Sequence, residues 1–229
     1  MSIFDPSFRR RPTRRRFLAA TAAAAALPLA ASLPWSRAAA SVPTAANLSA
    51  QDLADIQRIE QYLNTISTLR ANFQQYSNAS GLSSGRIYLR RPGRLRVEYD
   101  PPVQALIVAD GLVVTYYDGE LDQVTQAPIG SSPLWFLLRD EVSFSDGVSV
   151  SGIERAPGVL RISAFESDQP DAGEVSLVFS DQPLQLKQWA IIDSQGVEVR
   201  VGLQGVSLGG ALANELFSTP TTKKIQEGR

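Results

Sequence analysis

The chain has 229 residues, with 22 basic and 23 acidic side chains and neither cysteine nor histidine. Without cysteine there is no disulfide, no thiol nucleophile, no cysteine-ligated metal and no point for lipid attachment at a mature N-terminus; without histidine, Ser-His-Asp chemistry, histidine general bases and the usual zinc sites are excluded too. An enzyme would have to use carboxylates, lysine or tyrosine, and no nucleophile and base constellation of that kind is recognisable, which leaves a carboxylate-dependent hydrolase as the enzyme alternative.

Seven arginines (Arg9, Arg10, Arg11, Arg14, Arg15, Arg16 and Arg37) stand against the single acid Asp5 in the first forty residues, and an alanine-rich apolar run follows from Phe17 to Leu33. Basic segment, apolar segment and the small residues Ala38-Ala39-Ala40 predict a secretory signal covering residues 1–40. Thr13-Arg14-Arg15-Arg16-Phe17-Leu18 also fits a twin-arginine signal, with an ordinary Sec signal as the other route. Pro28, Pro34 and the many alanines argue against a membrane anchor. Without the signal, 15 basic and 22 acidic residues remain, a formal charge of −7. An acidic domain with no basic stripe is a poor ligand for nucleic acid or anionic membrane. Residues 41–229 suffice for one well-buried domain, and no long linker divides them.

Ser49 and Asp52 form the pattern of a capping box, and Leu53, Ile56, Ile59, Leu63, Ile66 and Leu69 then recur at three- and four-residue spacing. That predicts an amphipathic helix whose polar side carries Asp55, Gln57, Arg58, Gln61 and Asn64. A strand from about Arg70 to Ser77 leads into a meander between Gly85 and Pro128, punctuated by Arg91-Pro92-Gly93, Pro101-Pro102, Asp110-Gly111 and Asp118-Gly119. Period-2 alternation puts Ile87, Leu89, Leu95, Val97 and Tyr99 on one face, with Arg86, Arg90, Arg94, Arg96 and Glu98 on the other. Asp118, Glu120 and Asp122 have spacing loosely like a calcium loop, but the terminal bidentate acid is missing and a hairpin turn is the reading; no metal site is expected.

Pro128-Ile129-Gly130-Ser131-Ser132-Pro133 is a turn cluster, with Pro133 placed to open a short helix capped by Ser132. The apolar run Leu134-Trp135-Phe136-Leu137-Leu138 then reads either as a core helix or as a lid whose Trp135 and Phe136 line a pocket. Further strands are expected near 148–154, 159–165, 174–179, 184–193 and 197–206. Gly209-Gly210 makes a loop before Leu216-Phe217, and a loose tail begins at about residue 219.

The succession Gly85, Tyr88, Arg91-Pro92-Gly93, Leu95-Arg96-Val97-Glu98-Tyr99, Pro102, Val108-Ala109-Asp110-Gly111, Tyr117-Asp118 and Gln123-Val124 resembles the periplasmic outer-membrane lipoprotein carrier proteins, the LolA family, from about Leu53 to Phe217. The resemblance implies a mainly β fold, an unclosed antiparallel half-barrel of about eleven strands covered by a helical lid. It implies a non-enzymatic, cofactor-free monomeric chaperone that shields lipoprotein acyl chains between the inner and outer membranes. Its partners would be lipoproteins, an inner-membrane ABC-type release complex and an outer-membrane receptor. Ile87, Leu89, Leu95, Val97, Tyr99, Trp135 and Phe136 would line the acyl cavity, and Arg91, in the family's Arg-Pro context, would latch the lid. From the residues alone, the leading reading of Arg91 is a solvated strand-end arginine like Arg90. Some family members have an aromatic residue four positions after this arginine where this chain has Leu95, which puts any partner contact of that ring in doubt. LolA-like domains also occur in periplasmic regulators that sense mislocalised lipoproteins, the alternative function.

Replacing Arg14, Arg15 and Arg16 together by lysine is expected to strand a folded precursor in the cytoplasm, because a twin-arginine receptor reads the guanidinium pair and not net charge. Cell fractionation checks this. Normal processing and periplasmic recovery of the variant would assign the Sec route.

Overall fold

The computed structural model describes residues 42–132 and 134–218; the expected export signal at 1–40, Pro133 and the expected tail from 219 lie outside the described residues. One helix, α1 (Ala50–Asn64), precedes eleven strands: β1 (Thr68–Ser77), β2 (Gly81–Arg90), β3 (Arg94–Tyr99), β4 (Ala105–Asp110), β5 (Val113–Asp118), β6 (Gln123–Pro128), β7 (Val148–Ala156), β8 (Val159–Glu166), β9 (Gly173–Ser180), β10 (Gln185–Asp193) and β11 (Glu198–Leu208). They form a single antiparallel sheet in the order β6-β5-β4-β3-β2-β1-β11-β10-β9-β8-β7. Its two ends do not meet, as an open half-barrel requires.

The topology explains where the lid comes from. Two meanders, β1 to β6 and β7 to β11, join at the centre through the β1–β11 pair, so β6 and β7 are opposite edges of the sheet. The connection between them, residues 129–147, must travel from one edge to the other. It crosses the inner side and buries Phe136, Leu137, Leu138, Val142 and Phe144 in the core. Alternation keeps the rest of that core on one face: Ala71 and Phe73 of β1, Ile87 of β2, Leu95 and Val97 of β3, and Val175, Leu177 and Phe179 of β9 are all buried. At Gly85 a Cβ would lie 2.0 Å from the Glu98 carbonyl oxygen and 2.8 Å from the Phe73 ring, so only glycine lets that ring lie over the strand, where it meets Tyr99 edge-on at 5.3 Å.

Helix α1 begins as its sequence indicates. The Ser49 hydroxyl accepts from the Asp52 amide, and the Asp52 carboxylate accepts from the Ser49 amide at 2.8 Å. The Ser49 hydroxyl also donates to that carboxylate at 2.7 Å, and this bond first, then the Ser49 amide and Arg155, hold the Asp52 carboxyl down at about 2. Its end differs from expectation. The helix stops at Asn64, and the amides of Thr65 and Ile66 turn back to the last turn of carbonyls, so Ile66 reaches the core from a bend and Leu69 from β1. The apolar spacing ran past the helix because all three pieces face one interior. Leu53, assigned to the apolar stripe, is exposed, whereas Asp55, assigned to the polar side, is 4% exposed. Asp55 is buried because two arginines come to it: Arg58 at 2.9 Å from the next turn and Arg155 at 2.7 Å from β7. Arg58 continues to Asp181, between β9 and β10. The second lid helix expected near Pro133 is a single 3-10 turn, Trp135–Leu138.

Arg155 thus clamps the N-terminal half of α1 to β7 through Asp52 and Asp55. Arg155→Leu is expected to lower hydrogen-exchange protection of the amides from Ala54 to Ile59 by about tenfold, leaving β1 and β2 unchanged. Equal protection in both proteins would show that the clamp contributes nothing. Because the Asp52 carboxyl is depressed, its contribution to the clamp is present above about pH 4 and fades as the pH falls towards 2.

Candidate functional site: a lidded apolar cavity

Helix α1 spans roughly 22 Å at 1.5 Å per residue, from β7 to the β2–β3 turn. Beyond that turn-side end lies an apolar cavity of about 70 Å³, lined from the sheet by Leu69, Ile87, Leu89, Leu95, Val97 and Trp189. From the lid it is lined by Leu63, Leu134, Leu137 and Leu138. A buried, well-packed interior would normally close such a gap.

Arg91 stands at its edge. Its Nε donates to the Leu137 carbonyl at 2.8 Å and its Nη1 to the Leu63 carbonyl at 2.5 Å, so one guanidinium joins the 3-10 turn to the last turn of α1. The carbonyl end of a helix carries partial negative charge, which suits a cation there. The backbone around it is tied as well: the Arg91 amide donates to Ser67 at 2.8 Å and the Gly93 amide to Leu138 at 2.7 Å. Gly93 has φ +71° and a Cβ would fall 2.7 Å from the Gly111 Cα, so this close turn requires glycine. Burial pulls the Arg91 pKa down to about 10 while Asp140 pushes it back up, so the side chain stays charged at neutral pH.

The two lid pieces are also fastened to each other. Asn64 donates to the Val142 carbonyl at 3.0 Å and accepts from the Val142 amide at 2.8 Å, while Glu60 accepts from the Phe144 amide at 2.7 Å. On the far side, the Trp135 indole donates to Glu166 at 3.2 Å, and the Arg139 guanidinium lies 5.0 Å over the Trp135 ring and pairs with Asp146.

Of the residues expected to line one cavity, the structure brings together Ile87, Leu89, Leu95 and Val97 with Arg91. Tyr99 lies apart, donating to Gln75 at 2.9 Å and packing on Phe73. Trp135 and Phe136 line a separate cavity of about 290 Å³ with Val148, Phe165, Glu166 and Asp193. Leu63, Leu69, Leu134, Leu186 and Trp189 line the first cavity and were not singled out. Leu69 was open to detection, since it directly faces Leu89 in the β1–β2 register. Asp118 takes the Glu120 and Leu121 amides at its turn, at 2.9 and 3.1 Å. Arg90, read as a solvated strand end, instead donates to the Leu212 carbonyl and Asn214 on the outer face.

Residues 64–220 match the family model described as outer membrane lipoprotein carrier protein LolA. The chain belongs to this family. The outer-membrane lipoprotein carrier protein of Methylococcus capsulatus is 35% identical over 169 residues, covering 70% of this chain and 80% of that protein. That of Legionella pneumophila is 33% identical over 136 residues, covering 55% of this chain and 66%, just under two thirds, of the relative. Among solved structures, a LolA superfamily protein from Nitrosomonas europaea aligns with a TM-score of 0.43 at 11% identity, over 72% of this chain and 97% of that one. The family match begins at Asn64, at the end of α1, and so takes in Arg91, the whole sheet and the crossing segment of this LolA-family chain. Among the described residues no helix is long and apolar enough to cross a membrane.

Val97→Glu puts a carboxylate where the wild-type side chain is 6% exposed, in a cavity wall that is apolar apart from Ser132 and the Arg91 guanidinium, which the Leu63 and Leu137 carbonyls already hold at the edge. The expected loss is about 3–5 kcal/mol at pH 7. Burial raises the new carboxyl's pKa, so the charge-dependent loss should shrink as the pH falls from 7 towards the acid's unfolded value of about 4, below which it no longer changes. Urea midpoints at the two pH values check this, and an equal deficit at both would mean the carboxylate escapes to water.

Proposed function

We propose that this protein is a periplasmic chaperone that shields the acyl chains of lipoproteins beneath its lid and carries them from the inner to the outer membrane, with residues 1–40 as its export signal. The donor is an inner-membrane ABC-type release complex and the acceptor an outer-membrane receptor. The reading is supported above all by one observation: a single arginine joins two lid elements through main-chain carbonyls at the edge of an apolar space.

Burial of methylene groups is worth about 0.8 kcal/mol each, so a sixteen-carbon chain exposed to water costs on the order of 10 kcal/mol. Shielding it needs apolar wall and room. At the latch the wall is present but the room is not: a cavity of about 150 Å³ holds one benzene ring and here there is about 70 Å³, while the separate space of about 290 Å³ beside Trp135 is walled in part by Glu166, Gln169 and Asp193. Acyl chains therefore enter only when Leu134, Leu137, Leu138 and Leu63 withdraw from the sheet. That motion breaks both Arg91 hydrogen bonds. Arg91 then acts as a latch that favours the empty, closed carrier, and the binding energy of the acyl chains opposes it. No covalent chemistry is required, and delivery follows when the latch re-forms.

Arg91→Leu tests this. Two charge-assisted hydrogen bonds are lost, each contributing about 1.5–3 kcal/mol, so the closed-to-open balance should move by roughly a hundredfold or more towards the open form. The variant should still load lipoprotein from inner-membrane vesicles but give it up poorly, and it should be isolated with lipoprotein attached. Arg90→Leu is a poor control because Arg90 holds the outer strap. Arg86→Leu is the better one, its side chain being 59% exposed on the outer face. Transfer by Arg91→Leu at the rate of the Arg86→Leu control would remove the latch.

A further inference from the structure

After β11 the chain does not leave the sheet. Residues 209–218 fold back across the outer face of β1 to β4 as a strap, ending in a 3-10 turn (Asn214–Phe217) that lies against β3 and β4. Thr68 begins the attachment, accepting from the Gly209 amide at 3.1 Å and donating its hydroxyl to the Gly210 carbonyl at 3.1 Å. Four arginines continue it. Arg70 donates to the Ala211 carbonyl at 2.5 Å, Arg90 to the Leu212 carbonyl at 2.6 Å, and Arg96 to the Leu216 carbonyl at 3.2 Å. Arg90 and Arg94 both donate to the Asn214 side-chain oxygen, at 2.6 and 2.9 Å. Leu212 and Phe217 are buried, and the Arg90 guanidinium lies 4.9 Å over the Phe217 ring.

This face therefore already binds a peptide, through main-chain carbonyls, two apolar anchors and one side-chain acceptor between them. The acceptor is electrically wrong for its place. Arg90 and Arg94 sit directly opposite each other in the β2–β3 register, and both turn to one neutral amide oxygen. Among the described residues, neither they nor Arg70 make an ion pair, whereas Arg86 and Arg96 share Glu98. Asp110, opposite Arg94 on β4, gives its Oδ1 to the Leu112 and Val113 amides. A carboxylate in place of the amide oxygen would add charge–charge attraction and a second acceptor oxygen to bonds in which, at present, only the donor is charged.

We propose that the strap is an internal stand-in for an acidic segment of a protein partner, and that the outer face of β1 to β4 is the groove where that segment docks. The segment has an apolar residue, an aspartate two positions later and an aromatic three positions after that, the spacing of Leu212, Asn214 and Phe217. A peptide partner fits better than a membrane surface, because the strap's carbonyls and buried anchors make the contacts of a single peptide segment that closes in a 3-10 turn. The groove adjoins the latch, as Arg90 and Arg91 are consecutive residues, so the partner binds at the lidded end of the sheet. The inference rests on the outer face alone and holds whether or not the lid opens for lipid.

The strap competes at a high effective concentration, so the groove is tested in purified protein carrying Phe217→Ala, which loosens the strap. The probes are two fluorescein-labelled peptides copying residues 211–218, one as in the chain and one with Asn214→Asp. The Asn214→Asp peptide is expected to bind about fivefold tighter or more at low salt, with the preference reduced by salt and abolished by Arg94→Leu. A second measurement leaves the strap in place: Asn214→Asp in the chain itself should raise the thermal midpoint. Equal affinity of the two peptides, binding of neither, or an unchanged or lowered midpoint would overturn the proposal. So would Arg90- and Arg94-dependent flotation with phosphatidylglycerol vesicles in the absence of peptide binding, which would make the face a membrane surface.

Discussion

A guanidinium held by main-chain carbonyls is the interaction on which the rest of this structure turns. Arg91 keeps its charge in a half-buried position, and its strong acceptors are the carbonyls of Leu63 and Leu137. Carbonyl acceptors satisfy a cation more weakly than a carboxylate would, and they belong to segments that can move. In the proposed function, such a closure is strong enough to be the resting state and weak enough to be broken by burying a hydrocarbon chain. Asp140 is close enough to support the charge without making an ion pair, which keeps the balance on the carbonyls.

The open sheet makes this closure necessary. Eleven strands that do not join leave one inner face to be covered, and the chain covers it with what its topology supplies: the helix before β1 and the segment carried from edge β6 to edge β7. Asn64, Glu60 and Val142 fasten the two covers to each other, so they behave as one body. Arg155 pins that body on the β7 side and Arg91 on the β2–β3 side. The Arg155 clamp is made of ion pairs to Asp52 and Asp55 and is the more firmly charged of the two, so the proposed opening would begin at the Arg91 end. The outer strap is a second peptide held by arginines, on the opposite face.

Much of this was legible in the sequence, for physical reasons that also mark where legibility ended. The strands and their inward residues follow from period-2 alternation between Gly and Pro turns, which survives because one side of each strand meets the core beneath the lid and the other meets water or the outer strap. The helix start follows from Ser49 and Asp52. Its end did not, because Ile66 and Leu69 continue the apolar spacing from a bend and a strand. Asp55 was assigned to water because its partner Arg155 is a hundred residues away and no local pattern announces the pair. Trp135 and Phe136, expected to line one cavity with Ile87 and Leu89, lie at a second, since a 3-10 turn points its residues differently from an α-helix. The acceptors of Arg91 are backbone atoms and leave no trace in side-chain patterns. Arg90 looked like its neighbours on the outer face because its acceptors, too, are largely backbone and far along the chain.

The central claim is that the closed form excludes acyl chains and that Arg91 sets the balance between closed and open. The chain has no cysteine, so spin labels can be placed cleanly at Gln57 on α1 and at Gln74 on the outer face of β1, both exposed. Pulsed electron–electron resonance would then report the helix-to-sheet distance in the empty protein, in the lipoprotein-loaded protein and in empty Arg91→Leu. The account predicts a single short distance for the empty wild type, a longer one on loading, and a substantial share of that longer distance in Arg91→Leu without any ligand. Superimposable distributions in all three samples would contradict it.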